Sequence, residues 1–427
     1  MKKVLLFLIL LLMIGCNSRM KEDSKKEVYN YKVCIIVTNN QIECDDKIYE
    51  FDTSKYKIND LLKIEYENDF DLNNYKKISV INNFNYLDEG LFKDYYTKAL
   101  NILKDMSIDE KIGQVLLASA SDINQIKDLK AYHFGGYLLF KRDFKDKTKS
   151  EVINMIKSYQ DNSKIPLLIA ADEEGGIVTR ISSNKNLVES PFKSPRVLYK
   201  EGGLDKIRED TIEKNKILEE LGINLNLAPV VDIAENETDY MYKRSLGENA
   251  TITSEFAKLI IDESKKSKVS YCLKHFPGYG NNSDTHIGLS YDTRSLDSIK
   301  SNDLIPFQVG IKNNAESILV SHNIVSSIDN DNPSSLSNSI HNLLRDELGF
   351  SGVIITDDLS MDAIDKNYKE GSVVKALTSG NDLLIVSDYK NSFNDIKEAI
   401  NSKIISENIL NKRVLRILAW KYYKGLL

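Results

Sequence analysis

Residues 166–176 read PLLIAADEEGG, a short apolar run that ends directly in three carboxylates and two glycines. The pattern recurs from Leu91 onward, where short apolar runs alternate with stretches of helical periodicity. Runs that are apolar throughout are typical of parallel strands that are buried on both faces of a sheet. The eight runs are residues 113–117, 136–140, 166–171, 225–231, 269–273, 317–321, 352–356 and 382–386.

Eight strand–helix units in about 330 residues predict an α/β fold, a closed (β/α)8 barrel of the TIM type over residues 91–427. An open, doubly wound parallel sheet is the alternative. When that fold binds a dinucleotide, it carries a Gly-x-Gly-x-x-Gly turn after its first strand. No such turn follows the first apolar run, so the sequence favours the barrel.

A small all-β domain or spacer is predicted over residues 17–90, ahead of the barrel. Short stretches rich in Tyr, Ile and Val alternate here with Asn and Asp turns, as they do in antiparallel sheets. Cys34 and Cys44 flank a predicted hairpin tip, so they are close enough to form a disulfide in an oxidising compartment. Cys272 lies in an apolar run and is predicted to be a buried thiol.

Residues 1–16 have the charged start and the short apolar stretch of a secretory signal, and they are too short to span a membrane. Cys16 follows Gly15 at the end of this stretch, which resembles the lipobox of bacterial lipoproteins. The resemblance implies that Cys16 is the lipidated residue of a membrane-anchored protein of the cell envelope. A cleaved signal peptide and an uncleaved anchor are the alternatives, and both also place the chain outside the cytoplasmic membrane.

The chain carries a formal net charge of −6, and its lysines and arginines form no basic cluster beyond short pairs. This distribution argues against nucleic acid as a partner. The cysteines and histidines also lack the spacing of a zinc site. The charge therefore bears on solubility rather than on a charged partner.

Polar side chains follow five of the apolar runs directly. The carboxyl ends of barrel strands meet at one face, which is where barrel enzymes hold their sites. A single Asp after a strand is also a common helix N-cap, and that interpretation stays open for Asp232 and Asp358. Clusters after five strands nevertheless favour a functional site, because buried carboxylates are costly without partners. The clusters are Asp172-Glu173-Glu174 with Arg180, Asp232, Lys274-His275, His322-Asn323 and Asp357-Asp358.

Residues 274–289 read KHFPGYGNNSDTHIGL, a loop that holds two histidines, a lysine and an aspartate. Asp284 and His286 are two residues apart, so in an extended segment their side chains project to the same side. A carboxylate in that position orients an imidazole and raises its pKa. The pair is therefore predicted to be an acid/base dyad.

A nucleophilic carboxylate together with a separate His–Asp dyad suits retaining glycoside hydrolysis, which uses groups on both faces of the sugar. Asp357 at a strand end suits the nucleophile. His286 suits the acid/base role, with Asp284 holding its ring. The side chains predicted to bind ring hydroxyls through charge-assisted hydrogen bonds are Asp172, Arg180, Lys274 and His275.

Six stretches stand in order along the barrel region: DEEGGIVTR (172–180), NLNLAPVVD (224–232), RSLG (244–247), KHFPG (274–278), DTH (284–286) and ITDDLSM (355–361). Together they resemble glycoside hydrolase family 3, and more narrowly its single-barrel β-N-acetylglucosaminidases, or β-N-acetylhexosaminidases. The resemblance covers residues 105–427. It implies a retaining, exo-acting enzyme that releases terminal N-acetylglucosamine, typically from peptidoglycan fragments, without a metal or organic cofactor.

By position, Asp357 matches the family's nucleophile, and His286 with Asp284 matches its His–Asp acid/base dyad. Tyr279 departs from the family pattern, which usually has His there, and the span before Asp284 is slightly shorter than usual. Tyr279 is also a candidate for stacking on the sugar, since the only tryptophan, Trp420, lies in the predicted C-terminal helix. The sugar-binding positions of the family match Asp172, Arg180, Arg244, Lys274 and His275.

Two other activities fit the same residues. A glycoside phosphorylase passes the same covalent sugar to phosphate instead of water, and a β-glucosidase-type family 3 hydrolase accepts a different sugar. From another class, an inactive glycan-binding lipoprotein is an alternative, but retention of Asp357, Asp284 and His286 argues against it. We expect an amino-sugar glycan or muropeptide as the substrate of a monomeric, membrane-anchored enzyme.

Overall fold

The structure is a computed structural model, and the chain divides into two compact units, residues 1–85 and 86–427. The described residues are 30–38, 40–44, 47–56, 61–67, 69–82, 90–120, 123–280, 282, 285, 288–368 and 371–427. The predicted signal segment with Cys16 lies outside them. Within these ranges, no helix has both the length and the apolar composition that crossing a membrane requires.

The described part of the first unit has five antiparallel strands: β1 Asn30–Thr38, β2 Gln41–Cys44, β3 Lys47–Glu50, β4 Leu61–Tyr66 and β5 Lys77–Asn82. They form one sheet with the order β3-β2-β1-β4-β5, which confirms the predicted antiparallel β structure. Periodicity does not indicate β2, because Ile42 is its only aliphatic residue. A disulfide joins Cys34 to Cys44, which face each other on β1 and β2. The sequence predicted that the two residues lie close enough to form this bond.

Eight parallel strands form the main sheet of the second unit: β6 Leu116–Ser119, β7 Gly136–Leu139, β8 Leu168–Ala171, β9 Leu225–Asn226, β10 Ser270–Phe276, β12 Ser317–Val320, β14 Val353–Thr356 and β15 Leu384–Val386. Their order is β14-β12-β10-β9-β8-β7-β6-β15. A bridge between Ile355 and Leu383 joins the two end strands, so the sheet is a near-closed barrel. The predicted barrel is confirmed, and each apolar run overlaps one strand. A separate pair joins β11 Tyr291–Asp292 to β13 Ile324–Val325.

The α-helices described in this unit are α1 Tyr96–Leu103, α2 Ile108–Gln114, α3 Gln125–Tyr132, α4 Lys141–Phe144, α5 Lys149–Asp161, α6 Pro195–Leu221, α7 Ala250–Ser264, α8 Leu296–Ser301, α9 Leu304–Lys312, α10 Asn338–Asn342, α11 Asp362–Asp365, α12 Ser372–Ser379, α13 Tyr389–Asn401 and α14 Glu407–Tyr423. Several begin after a Ser, Thr or Asn whose side chain accepts a backbone N–H, for example Ser194 and Asn249. These caps satisfy donors that a helix leaves unpaired. Helix α6 is interrupted at Gly202-Gly203.

The first apolar run corrects one predicted boundary. The sequence predicts a strand from residue 113, whereas helix α2 continues to Gln114. Ser107 and Glu110 form a capping box that fixes the start of this helix. Strand β6 therefore begins at Leu116, later than the apolar pattern predicts.

Helix α14 covers the amino-terminal end of the barrel. Trp420 is fully buried, and its indole N–H donates to Glu316 Oε2 at 2.9 Å. Lys421 Nζ donates to Gly135 O at 2.9 Å. Glu316 and Gly135 immediately precede strands β12 and β7. The opposite end, where the strands terminate, is therefore the face that carries the predicted site.

Candidate active site

The carboxyl ends of the barrel strands surround a cavity of about 440 Å³. Apolar surface in its wall comes from Phe140 and Met361, among others. Asp284 and His286, the predicted dyad, lie outside the described residues, as does Cys16. Six predicted site residues line the cavity: Asp172, Arg180, Arg244, Lys274, His275 and Asp357.

Asp172 directly follows strand β8, and its carboxylate contacts two positively charged side chains. Lys274 Nζ donates to Asp172 Oδ1 at 2.9 Å, and Arg180 Nη2 lies 3.4 Å from Asp172 Oδ2. Lys274 and Arg180 also border the cavity. The carboxylate is therefore held in one orientation by charged donors, which is how a short side chain can present an acceptor to a ligand.

Glu174 is the buried centre of the ion network. It accepts two hydrogen bonds from Arg244, at 3.0 and 2.7 Å, and forms an ion pair with Lys274 at 2.7 Å. Burial alone would raise the pKa of Glu174, but the charges of Arg244 and Lys274 lower it below its ordinary value. Burial would likewise lower the pKa of Lys274, and Asp172 and Glu174 raise it. The whole group therefore stays ionised.

Replacing Glu174 by glutamine is expected to destabilise the barrel by about 3–5 kcal/mol, because Lys274 and Arg244 lose a buried counter-charge. The matched control is Glu220→Gln, since Glu220 pairs with Lys149 on the surface, and it is expected to cost about 0–1 kcal/mol. Chemical denaturation of the two variants measures the difference. Equal losses would contradict the central role of Glu174.

The lowered pKa of Glu174 also sets the direction of the pH dependence. Its stabilising contribution is complete above the unfolded-state pKa, near the ordinary value of 4.5. The contribution is lost as the pH falls through the lower folded-state pKa. The stability difference between wild type and Glu174→Gln is therefore expected to be full at neutral pH and to shrink on strong acidification. A difference that grows below pH 4.5 would contradict this sign.

His275 is held by Asp232, which follows the apolar run of strand β9. Asp232 Oδ2 lies 2.8 Å from His275 Nδ1 and accepts the His275 backbone N–H at 3.2 Å. His275 Nε2 lies 3.3 Å from Arg244 Nη2. A guanidinium only donates, so His275 Nε2 accepts in this contact and Nδ1 donates to Asp232. Asp232 also accepts the Tyr279 backbone N–H at 2.8 Å, so it positions this loop rather than capping a helix.

Asp357 follows strand β14 at the carboxyl end of the barrel. Its backbone N–H donates to Val320 O at 3.0 Å, and its Oδ1 accepts the Asp358 N–H at 2.9 Å. His322 Nε2 donates to Asp358 O at 2.9 Å, while His322 Nδ1 lies 2.7 Å from Ser335 Oγ. The turn that carries Asp357 is therefore fixed by its own backbone and by the residues that follow strand β12.

Tyr279 does not offer a ring face to the cavity, which corrects the stacking role suggested by its position. Its ring is 2 % exposed and packs in a small apolar cluster, whereas Tyr240 lines the cavity wall. The Tyr279 hydroxyl lies 2.5 Å from Thr285 Oγ1. Thr285 lies in a turn.

Sequence reasoning placed Glu174 and His322 in polar clusters at strand ends but gave neither residue an individual role. Both carried a usable signal, because Glu174 follows Asp172 by two residues and His322 follows an apolar run. Their roles depend on partners from other strands, which local patterns do not identify. The sequence left open whether Asp232 is a helix cap or a site residue, and its contact with His275 identifies it as a site residue.

Comparison with known proteins agrees with this geometry. Residues 107–420 match the glycosyl hydrolase family 3 N-terminal domain, which covers most of the chain. The chain belongs to glycosyl hydrolase family 3. The resemblance drawn from the six stretches is therefore confirmed.

Curated relatives of this family 3 chain are β-hexosaminidases. The relative from Xanthomonas campestris pv. campestris strain B100 is 30% identical over 256 residues, or 59% of this chain and 76% of the relative. The relative from Xylella fastidiosa strain M23 is 28% identical over 250 residues, or 58% of this chain and 72% of the relative. Both relatives are similar to this chain over more than two thirds of their own length.

A solved family 3 β-N-acetylglucosaminidase from Paenibacillus sp. str. FPU-7 is similar to this chain with a TM-score of 0.70 and 29% identity. The similarity covers 75% of this chain and 63% of that one, so the chain spans less than two thirds of the Paenibacillus protein. The solved structure of M tuberculosis LpqI is also similar, with a TM-score of 0.68 and 26% identity over 75% of this chain and 95% of that one.

Proposed function

We propose that this family 3 chain is a retaining exo-β-N-acetylglucosaminidase that releases terminal N-acetylglucosamine from peptidoglycan fragments or related glycans. The observation that carries the proposal is Asp357, a strand-end carboxylate in the wall of a cavity rich in fixed polar groups. The names of the relatives, β-hexosaminidase and β-N-acetylglucosaminidase, support the choice of sugar.

The charges at the cavity favour a neutral ligand. Asp172 and Glu174 are offset by ion pairs with Lys274 and Arg244. The wall therefore offers hydrogen-bond donors and acceptors at fixed positions without a strong excess of either charge. Its volume of about 440 Å³ lies within the range of about 300–1,000 Å³ for small-molecule sites. A sugar ring, neutral and rich in hydroxyls, fits these properties.

Asp357 supplies the nucleophile in this proposal. A carboxylate oxygen attacks the anomeric carbon, the bond from that carbon to the leaving oxygen breaks, and a glycosyl-aspartate ester forms. The backbone hydrogen bonds of Asp357 hold it in place, which lowers the cost of aligning the attack. Water then attacks the same carbon and frees the carboxylate, with net retention of configuration.

His286 supplies the acid/base group, with Asp284 as its partner. In the first step the protonated imidazole gives its proton to the leaving oxygen, so the aglycone departs as an alcohol. In the second step the neutral ring takes a proton from the attacking water. The assignment comes from the family motif, in which DTH carries both residues.

The test is turnover of chromogenic β-glycosides of N-acetylglucosamine, glucose and xylose by the purified full-length chain. We expect kcat/KM to be higher for the N-acetylglucosaminide by roughly 100-fold, because a site built to bind a substituent rejects sugars that lack it. Equal efficiency with the glucoside would reassign the chain to the β-glucosidase type. Binding without turnover of any glycoside would favour the inactive glycan-binding alternative.

A phosphate comparison separates hydrolysis from phosphorolysis. The turnover rate is expected to be the same in phosphate buffer and in a phosphate-free buffer, with the free sugar as the product in both. A rate that collapses without phosphate, together with a sugar phosphate as the product, would replace hydrolysis by phosphorolysis.

Anchoring through Cys16 belongs to the same proposal, because a lipobox-like stretch precedes this residue. Cells that express the chain and are fed radiolabelled palmitate are expected to label the wild type and not the Cys16→Ser variant. A variant labelled as strongly as the wild type would exclude Cys16 as the lipidated residue.

A further inference from the structure

Tyr279 is fixed to the barrel by its backbone and by its ring. Its N–H donates to Asp232 Oδ1 at 2.8 Å, the same carboxylate that holds His275. Its ring centroid lies 5.5 Å from that of His275 in an edge-to-face arrangement. Tyr279 belongs to a buried apolar cluster with Val230 and Met241, and the residue is 2 % exposed. The hydroxyl of this buried side chain contacts Thr285, further along the loop.

Thr285 is the middle residue of the DTH stretch. Thr285 is fully buried, and its Oγ1 lies 2.5 Å from the Tyr279 hydroxyl oxygen. The Thr285 backbone N–H also donates to that oxygen, at 3.3 Å. The Thr285 carbonyl accepts the Ala363 N–H at 3.4 Å. Ala363 lies in helix α11, six residues after Asp357, so Thr285 is hydrogen-bonded both to Tyr279 and to the segment that follows Asp357.

The start of this loop is itself braced. Gly278 and Gly280 have positive φ angles of +120° and +55°. A Cβ at Gly278 would lie 2.6 Å from Asp303, and one at Gly280 would lie 2.5 Å from Arg294. Arg294 in turn forms ion pairs with Asp292 and Asp303. The backbone therefore runs directly over a rigid ion cluster just before and just after Tyr279.

We propose that Tyr279 is a positioning residue for the acid/base step: its hydrogen bonds hold Thr285, which lies between Asp284 and His286 in the sequence. This inference rests on the proposed function, since it assigns those two residues to proton transfer. Burial raises the pKa of Tyr279, so the hydroxyl keeps its proton and can donate to Thr285. Tyr279 touches no sugar in this arrangement and acts through Thr285.

The test compares substrates whose leaving groups differ in their need for a proton. In Tyr279→Phe, kcat for an N-acetylglucosaminide with an alkyl leaving group is expected to fall roughly tenfold or more, with KM nearly unchanged. The fall is expected to be much smaller for a dinitrophenyl leaving group, which departs without a proton. Thr285→Val is expected to reproduce this pattern, and Thr285→Ser, which keeps the hydroxyl, is expected to retain the wild-type rates.

The matched control is Tyr271→Phe. Tyr271 is buried on strand β10, and its hydroxyl donates to Asn215 Oδ1 at 2.8 Å, outside the cavity wall. This variant loses a buried tyrosine hydrogen bond of the same kind. It is expected to leave the rate ratio between the two leaving groups unchanged. A change of that ratio in Tyr271→Phe equal to the change in Tyr279→Phe would overturn the positioning role.

Two further outcomes separate this inference from the proposed function. The double variant Tyr279→Phe/Thr285→Val is expected to be no slower than either single variant, because both remove one contact. Fully additive losses, or equal losses on both leaving groups, would overturn the positioning role while wild-type turnover stands. Absence of wild-type turnover of N-acetylglucosaminides would instead overturn the proposed function. In that case the unfolding free energies of the two single variants and the double variant would still test the Tyr279–Thr285 contact, and fully additive losses would contradict it.

Discussion

Asp357→Ala is expected to reduce kcat by about 10⁴-fold or more, equal to about 5.5 kcal/mol or more of transition-state stabilisation. The variant has no side-chain oxygen to bond to the anomeric carbon, so the first half-reaction has no nucleophile. The main-chain hydrogen bond from Asp357 to Val320 does not involve the side chain and remains available. Steady-state turnover of an aryl N-acetylglucosaminide measures the loss.

Three controls make this result specific to chemistry. Asp161→Ala removes an exposed carboxylate that pairs with Lys157, and it is expected to keep wild-type turnover. Azide added to Asp357→Ala is expected to restore part of the activity, because a small external nucleophile can enter the vacated space. A slowly reacting fluorinated sugar is expected to label the wild-type peptide that contains Asp357. Wild-type turnover in Asp357→Ala, or label on another peptide, would refute the assignment.

His286→Ala is expected to lower kcat on natural glycans by about 10² to 10⁴-fold, the range for loss of a positioned proton donor. The leaving alcohol of a glycan departs poorly without a proton. A dinitrophenyl leaving group needs none, so its first step is expected to lose much less. Turnover of the two substrate classes by the same variant measures the difference.

Asp284→Asn distinguishes the partner from the proton donor itself. Asparagine still accepts a hydrogen bond but carries no charge, so the imidazole loses the interaction that favours its protonated form. We expect a smaller loss than in His286→Ala, with the same dependence on the leaving group. Equal losses on both substrate classes in either variant would exclude an acid role for the dyad.

The barrel could be predicted because each strand is an uninterrupted apolar run, a pattern that follows from burial on both faces. The prediction failed at residue 113, where the apolar run starts inside helix α2. Periodicity cannot locate that boundary, because the capping box at Ser107 and Glu110 decides where the helix begins. The sequence pattern also did not predict strand β2, because pairing with β1 and β3 rather than its own composition determines that it is a strand.

The candidate site could be predicted in part for a related reason. Carboxyl ends of barrel strands converge, so the residues that follow the runs were expected to meet, and Asp172, Lys274 and Asp357 do line one cavity. The partner of each charge was not predictable. Glu174 forms its ion pair with Arg244, which lies 70 positions away in the sequence, and no local pattern indicates that pairing. The same holds for the Tyr279 hydroxyl, whose aromatic ring suggested stacking until its burial was known.

The lone indole has a consequence for spectroscopy. Trp420 is buried within the barrel unit and hydrogen-bonded to Glu316, and the sequence contains no second tryptophan. Tryptophan fluorescence, excited at the red edge of the protein's absorption band, therefore reports the unfolding of the barrel unit and does not report that of the amino-terminal sheet. The far-ultraviolet dichroism of the same sample records both units. Any gap between the two melting curves measures how independently the two units unfold.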